Sequence, residues 1–226
     1  MMRAAVFIAG TDTGIGKTHA SCALLHALRA AGHDAVGMKP VASGCESTPD
    51  GLRNEDALAL QAAGPAGVPY ARINPLTLRD PLSPHLAAAR DGVTIALPPL
   101  AEAFARLRAQ HAPVVVEGVG GWRVPLAPSL LASELPRAWG LPVILVVGLR
   151  LGCLNHALLS ARAIVDDGCE LLGWIGNRID PAMAAAEENL ATLRALLPAP
   201  CLGVLPHGEP PSSAARHLDA ALAALA

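Results

Sequence analysis

Residues Gly10–Thr18 read GTDTGIGKT, directly after the apolar run Ala4–Ala9 and ahead of a helical pattern. Glycines, one lysine and one threonine therefore sit where a strand hands over to a helix. Backbone N–H groups in a Gly-rich turn point at an anion, and the helix N-terminus adds partial positive charge. Lys17 is placed to reach the β- and γ-phosphates, and the Thr18 hydroxyl to ligate Mg²⁺. A nucleoside triphosphate, ATP or GTP, is the ligand class this implies. The spacing departs from the generic pattern of Gly, four residues, then Gly-Lys-Ser/Thr. Counting back from Gly16 puts Thr11 where the first glycine belongs, so the spacer after Gly10 is one residue longer.

Outward from this turn, strand-like runs alternate with helical patterns. Val6–Ala9 reads as the first strand, and Lys17 to about Ala31 as the first helix, with Leu24, Leu25 and Leu28 on one face and Gly32 as its stop. Further strands are expected at Ala35–Met38, Val114–Val116, Val143–Val147, Leu171–Gly176 and Leu202–Leu205. Helices are expected at Asn54–Ala63, from Ser83-Pro84, and over Leu97–Gln110, Ser129–Trp139, Leu154–Val165, Ala182–Leu197 and Ser213–Ala226. Asn54 and Ser83 are good caps, and Pro84 suits a first turn. Gly64–Asp80, rich in Pro and Gly, reads as a long loop inside one domain. Strands alternating with helices imply βαβ units, hence a mostly parallel sheet flanked by helices on both faces.

The bulk composition is compatible with that architecture. The chain has 226 residues, 52% of them apolar, enough for one large α/β domain. A net charge of −2 suggests no nucleic-acid surface. No apolar stretch approaches the roughly 20 residues of a membrane span, and the N-terminus reads as strand one rather than a signal peptide. The five cysteines, at 22, 45, 153, 169 and 201, are scattered and show no CxxC spacing. They argue for a reducing cytoplasm and against a disulfide framework or zinc site. The eight histidines show no metal-ligand spacing either.

In a parallel α/β fold, function collects at the carboxyl ends of the strands. Thr11–Thr18, Lys39, Glu117, Asn177 and His207 each follow a different expected strand. Glu117 ends the run PVVVEGVGGW, where a carboxylate can hold Mg²⁺ directly or through water. Gly118, Gly120 and Gly121 after it let the backbone pass close to a ligand. Lys39, in GMKPVASG, stands where a lysine offsets charge during phosphoryl transfer. Asp56, in GLRNEDALAL, reads from its local sequence as a solvated first-turn acid, favourable at a helix N-terminus.

Seven segments in order, GTDTGIGKT, KPVASG, GLRNEDALAL, SPHLAA, VEGVGGW, LPVILVVGLRLGCLNHALL and LLGWIGN, resemble the dethiobiotin synthetases, the ATP-dependent ligases of biotin biosynthesis. The similarity runs over nearly the whole chain, and the family's phosphate loop carries the same long spacer. The resemblance implies a P-loop NTPase-like fold. It implies carboxylation of 7,8-diaminopelargonate with CO₂ and closure of a cyclic urea, with one ATP consumed. By matching position, Gly14, Ile15, Gly16, Lys17, Thr18 and His19 would cradle the triphosphate, joined by Glu117, Gly118, Val119 and Gly120. Thr18, Asp56 and Glu117 would hold Mg²⁺. Lys39 and Lys17 would be catalytic, neutralising γ-phosphate and carbamate oxygens. Thr13 and Ser43 would contact the diamine or carbamate. Asn177, Arg178, Pro206, His207 and Gly208 would bind the adenine end. Leu151, Gly152, Cys153, Leu154 and Asn155 would take the substrate carboxylate on a helix N-terminus, across a homodimer interface.

Three features depart from the family pattern. Gly14 stands where some members carry an acid, Arg150 stands where some carry lysine, and GEPPSSAAR after His207 has no clear counterpart. A nucleotide-switch ATPase of the partitioning type is the alternative expectation. Such proteins usually carry an extra lysine early in the phosphate loop, where this chain has Thr11 and Asp12.

Overall fold

In the computed structural model, which describes residues 2–226, the apolar runs become strands of one sheet. In chain order the elements begin with β1 (Ala5–Gly10), α1 (Lys17–Ala30), β2 (Val36–Met38), β3 (Val41–Ala42), β4 (Glu46–Thr48), β5 (Gly51–Arg53), α2 (Glu55–Ala63), α3 (Tyr70–Ile73) and β6 (Leu76–Thr77). They continue through α4 (Pro84–Asp91), α5 (Leu97–Arg108), β7 (Val114–Glu117), β8 (Pro125–Ala127), β9 (Leu130–Leu131), α6 (Glu134–Trp139), β10 (Val143–Gly148) and α7 (Cys153–Asp166). The chain closes with β11 (Leu171–Asn177), α8 (Ala186–Leu196), β12 (Cys201–Leu205), α9 (Pro211–Ala214), a 3₁₀ turn and α10 (Asp219–Leu225).

The six-stranded sheet has the order β12-β11-β10-β1-β7-β2, and every pair is parallel. Every residue of β1, β7 and β10 is buried, which is why these strands read as continuous apolar runs rather than alternating ones. Because all strands run the same way, their carboxyl ends share one edge. Ile8 pairs with Glu117, Met38 with Val116, Gly10 with Val146 and Gly148 with Asn177. The phosphate loop, Lys39, Glu117 and Asn177 are delivered to that edge by four different strands.

The structure corrects several expectations. Ser129–Trp139 is not one helix: β8 and β9 form a hairpin there, and only Glu134–Trp139 is helical. Leu130, Leu131 and Leu135 satisfy a helical period, but Leu130 and Leu131 pair with Ala127 and Pro125, and Ala132 N–H donates to the Val124 carbonyl at 2.8 Å, which takes this backbone into a hairpin. Gly64–Asp80 holds α3 and β6, with β6 pairing to β3. The helix expected from Ala182 begins at Ala186. The closing helix breaks at His217–Leu218. There the His217 carbonyl lies 2.3 Å from where a Cβ on Gly203 would stand, so β12 admits the turn only because that residue is glycine.

Candidate functional site

Gly16 sets up the phosphate loop. It sits at φ +82, a left-handed conformation that glycine adopts without strain, and it caps α1. A Cβ on it would fall 2.0 Å from the Asn177 amide nitrogen. That amide donates to the Ile15 carbonyl at 2.9 Å, so Asn177 clamps the loop onto the end of β11. Ile15 itself is buried in the core and offers only backbone to a ligand. Lys17 is also buried, and its Nζ donates to the Asp12 carbonyl at 3.0 Å. Burial first, and then the charge on Lys39, push its ammonium from 10.5 down to about 8, against the pull of Glu117, Asp56 and Asp12.

Three segments distant in sequence meet at Lys39. Its Nζ lies 2.6 Å from Glu117 Oε1 and 2.8 Å from Asp56 Oδ2, and it reaches the Gly118 carbonyl at 3.3 Å. The Thr18 hydroxyl donates to the same Glu117 oxygen at 2.9 Å. Burial alone would discharge Lys39, but the two carboxylates outweigh it and raise its pKa. Burial likewise opposes ionisation of Asp56, and Lys39's charge and hydrogen bond outweigh it, so that carboxyl is held below its usual range. The other Glu117 oxygen, Oε2, is buried with no hydrogen-bond partner among the described residues. A fully buried carboxylate oxygen left unpaired is costly. With Asp56 and Thr18 alongside, the donors are all hard oxygens, which fits Mg²⁺.

The clamp that holds Lys39 comes from the segment expected to be loop. Lys39 N–H donates to the Ile73 carbonyl at 2.7 Å, and Asn74 Nδ2 donates to the Lys39 carbonyl at 2.7 Å. The Tyr70 hydroxyl donates to Asn74 Oδ1 at 2.9 Å and accepts from Asn54 N–H at 2.8 Å. Asn54 caps α2 as its sequence suggested, accepting from Ala57 N–H, and its amide also donates to the Ser43 carbonyl at 3.3 Å. One polar chain thus sets Lys39, Ser43 and the helix bearing Asp56. Its signal in the sequence was faint: Tyr70 is the chain's one tyrosine, and Asn74 lies among prolines and apolar residues.

Sequence reasoning also missed Asp12 and Asp167 as organisers. Asp12 accepts from Thr13 N–H at 2.7 Å and from Arg150 at 2.6 Å, tying the phosphate loop to the turn before α7. Asp167 accepts from Trp122 Nε1 at 2.8 Å and from Arg123 at 2.7 Å, which fixes the strap after Glu117.

A cavity of about 670 Å³ collects the phosphate-loop and Lys39 side of the expected site. Thr13, Gly14, Gly16, Lys17, Thr18, Lys39, Ser43, Asp56, Val119 and Gly120 line it, together with Pro81–Pro84. A second cavity, of about 410 Å³, gathers His19, Asn177, Arg178, Pro206, His207 and Gly208, with Glu209 among its walls. His207 Nδ1 pairs with the Arg178 carbonyl at 3.0 Å, joining the ends of β11 and β12. Leu151–Asn155 line neither cavity. They form the turn and first residues of α7, where Gly152 caps the helix in a left-handed conformation, Cys153 is buried and Asn155 is exposed.

A nucleotide-sized cleft at the carboxyl edge of a parallel sheet, floored by a glycine loop and α1, defines the P-loop NTPase class. Solved structures agree on the fold. A ParA family ATPase from Chlorobium tepidum aligns with a TM-score of 0.57 over 100% of this chain and 98% of its own, at 11% identity. The cell-division protein MinD from Aquifex aeolicus aligns at 0.55 over 96% and 94%, at 14% identity. A sequence model of the AAA domain matches residues 4–214. Among curated relatives, the ATP-dependent dethiobiotin synthetase BioD of Xanthomonas oryzae pv. oryzae is 60% identical over 91% of this chain and 92% of its own. The protein of the same name from Xylella fastidiosa is 58% identical over 93% of each. The chain belongs to the dethiobiotin synthetase family.

Proposed function

We propose that this chain carboxylates 7,8-diaminopelargonate with CO₂ and closes the ring of dethiobiotin, forming ADP and phosphate from ATP. The observation that carries this reading is the Lys39 ammonium, held between Glu117 and Asp56 beside the phosphate loop. It supplies a fixed positive charge where a γ-phosphoryl group and a carbamate would meet. An amine captures CO₂ as a carbamate, whose oxygen is a poor leaving group. Phosphorylation gives a mixed carbamic–phosphoric anhydride, and attack by the second amine expels phosphate. Little covalent work falls to the protein, so positioning and charge dominate.

In this reading Gly14–His19 cradle the triphosphate with backbone N–H groups, and Lys17 swings from Asp12 towards its outer oxygens. Lys39 gains most as negative charge moves in the transition state. Thr13 and Ser43 face the reacting nitrogen end. Thr18, Asp56 and Glu117 would hold Mg²⁺, which when bound neutralises phosphate oxygens. His19, Asn177, Arg178 and Pro206–Gly208 take the base end, with Glu117–Gly120 along the phosphates.

We further propose a homodimer formed across α7. Leu151 is 96% exposed, Leu159 63% and Val165 48%, and Leu158 is also exposed. Exposed apolar side chains gathered on α7 and the turn before it support a partner surface there. A second copy would cover it and bring Leu151–Asn155 to the substrate carboxylate. The five cysteines are free thiols, consistent with work in a reducing cytoplasm. No helix among the described residues is long and apolar enough to cross a membrane.

The test is ADP formation by the purified chain with ATP and Mg²⁺. We expect turnover only when diamine and bicarbonate are both present. Equal turnover without the diamine would reject the ligase reading and favour a switch ATPase. The fold neighbours alone would permit that alternative; the close identity to named synthetases argues against it.

A further inference from the structure

We propose that Ser83 and His85 form a proton relay that serves the reacting amines; this rests on the diamine-carboxylation reading above. Carbamate formation and ring closure each require an amine nitrogen to give up a proton. The charged groups at the site are poorly suited to accept it. Lys39 is a cation, and Glu117 and Asp56 are engaged by it. Lys17 faces the phosphate side.

Ser83 lines the same cavity, on the segment Pro81–Pro84. That segment is seated against the Ser43 turn. Gly44 N–H donates to the Asp80 carbonyl at 3.0 Å, and Pro81 stands 3.2 Å from where a Gly44 Cβ would be. Ser83 occupies the N-cap position of α4 yet makes no side-chain cap hydrogen bond. A capping hydroxyl stabilises a helix by accepting from a first-turn N–H, and this one is turned elsewhere: its Oγ lies 3.0 Å from His85 Nδ1. His85 is half-buried behind Ser83 and does not line the cavity itself.

With the ring proton on Nε2, Nδ1 accepts from the Ser83 hydroxyl. As the amine nitrogen bonds to the carbonyl carbon, its N–H bond breaks and the proton passes to Ser83 Oγ. The original Oγ proton moves to Nδ1 and leaves an imidazolium. Serine is unchanged, the amine has lost one proton and His85 has gained one. The imidazolium then loses its Nε2 proton to water, and proton exchange with water converts the resulting Nδ1–H tautomer back to the starting one before the next turnover. Ser83 is the group that touches substrate, and His85 acts through it.

The experiment compares wild type with Ser83→Ala, Ser83→Thr, His85→Gln and His85→Ala, using ATP, bicarbonate and 7,8-diaminopelargonate. General acid–base groups contribute about 10²–10⁴-fold. We expect kcat to fall at least about tenfold in Ser83→Ala and His85→Gln, with KM for ATP within about twofold. Ser83→Thr should keep most of the activity, and added imidazole should restore His85→Ala. Thermal midpoints are measured on each variant, so that unfolding is seen directly. Lower midpoints with unchanged kcat, or no imidazole rescue of folded His85→Ala, overturn the relay. An active wild type with equally active variants overturns only this inference. A wild type inert toward the diamine overturns the proposed function and this inference with it.

Discussion

Replacing Lys39 with glutamine separates its structural role from its chemical one. Glutamine keeps a donor of similar reach but removes the charge. Glu117 is 0% exposed, and Lys39 is its ion-pair partner. Breaking a buried pair from one side strands a charge and costs about 3–5 kcal/mol. Asp56 is more open to solvent, with a side chain 36% exposed, so water screens it and it adds little. For a chain of this size each kcal/mol moves Tm by about 2–4 °C, so Lys39→Gln should melt about 6–20 °C below wild type.

Turnover should fall at least about tenfold more than ATP binding weakens, because the lost charge matters most as phosphoryl oxygens develop their negative charge. Differential scanning calorimetry with and without Mg²⁺ adds a readout independent of activity. If Glu117, Asp56 and Thr18 hold the ion, the variant should gain more Tm from it than wild type does, since its carboxylates have lost their resident cation. A Tm within about 2 °C of wild type would refute the stranded-charge reasoning. Equal magnesium gains in both proteins would refute the proposed metal ligands, and near-normal turnover would remove Lys39 from the chemistry.

Other consequences follow from the same geometry. Between about pH 8 and 10.5 Lys17 is neutral in the folded chain and charged in the unfolded one. The unfolded state then binds more protons, so the free protein gains stability as pH rises through that window, and ATP affinity falls. Unfolding of wild type against Lys17→Met from pH 7 upward checks the sign, and a constant difference would refute it. Gly16→Ala must place a Cβ 2.0 Å from the Asn177 amide at φ +82. It should cost about 1–2 kcal/mol for backbone strain alone, seen as a lower Tm and weaker nucleotide binding; an unchanged Tm would show that the loop is not clamped. Leu159→Lys should shift the proposed dimer towards monomer in sedimentation velocity. A monomeric wild type would exclude the dimer.

The central sheet was legible because its strands are buried on both faces: Val114–Val116 and Val143–Val147 leave no solvent side to interrupt them. The order of those strands was not, since no local pattern records which run lies beside which. The errors fell where a distant contact overrides a local preference. The terminal helix breaks because His217 packs onto Gly203, and β8–β9 displaces a helix that Leu130, Leu131 and Leu135 would otherwise support. Ser83 looked like a helix cap, and its hydroxyl is instead turned to His85.

The site divides the same way. Residues that end a buried strand, Glu117 and Asn177, could be placed from the strand alone. Asp56 could not, because a first-turn acid on an exposed helix looks the same whether it faces water or a buried lysine. What distinguishes it is the Asn54–Tyr70–Asn74 chain, which sets the pitch of α2 against the Lys39 backbone. Among the described residues none of the three hydrogen-bonds to Asp56, so their effect on it is geometric. A lysine held by its own main chain and by two carboxylates has little freedom left to lose when a phosphate arrives. Electrostatic catalysis needs that preorganisation, and here it originates in a segment whose composition announces only turns.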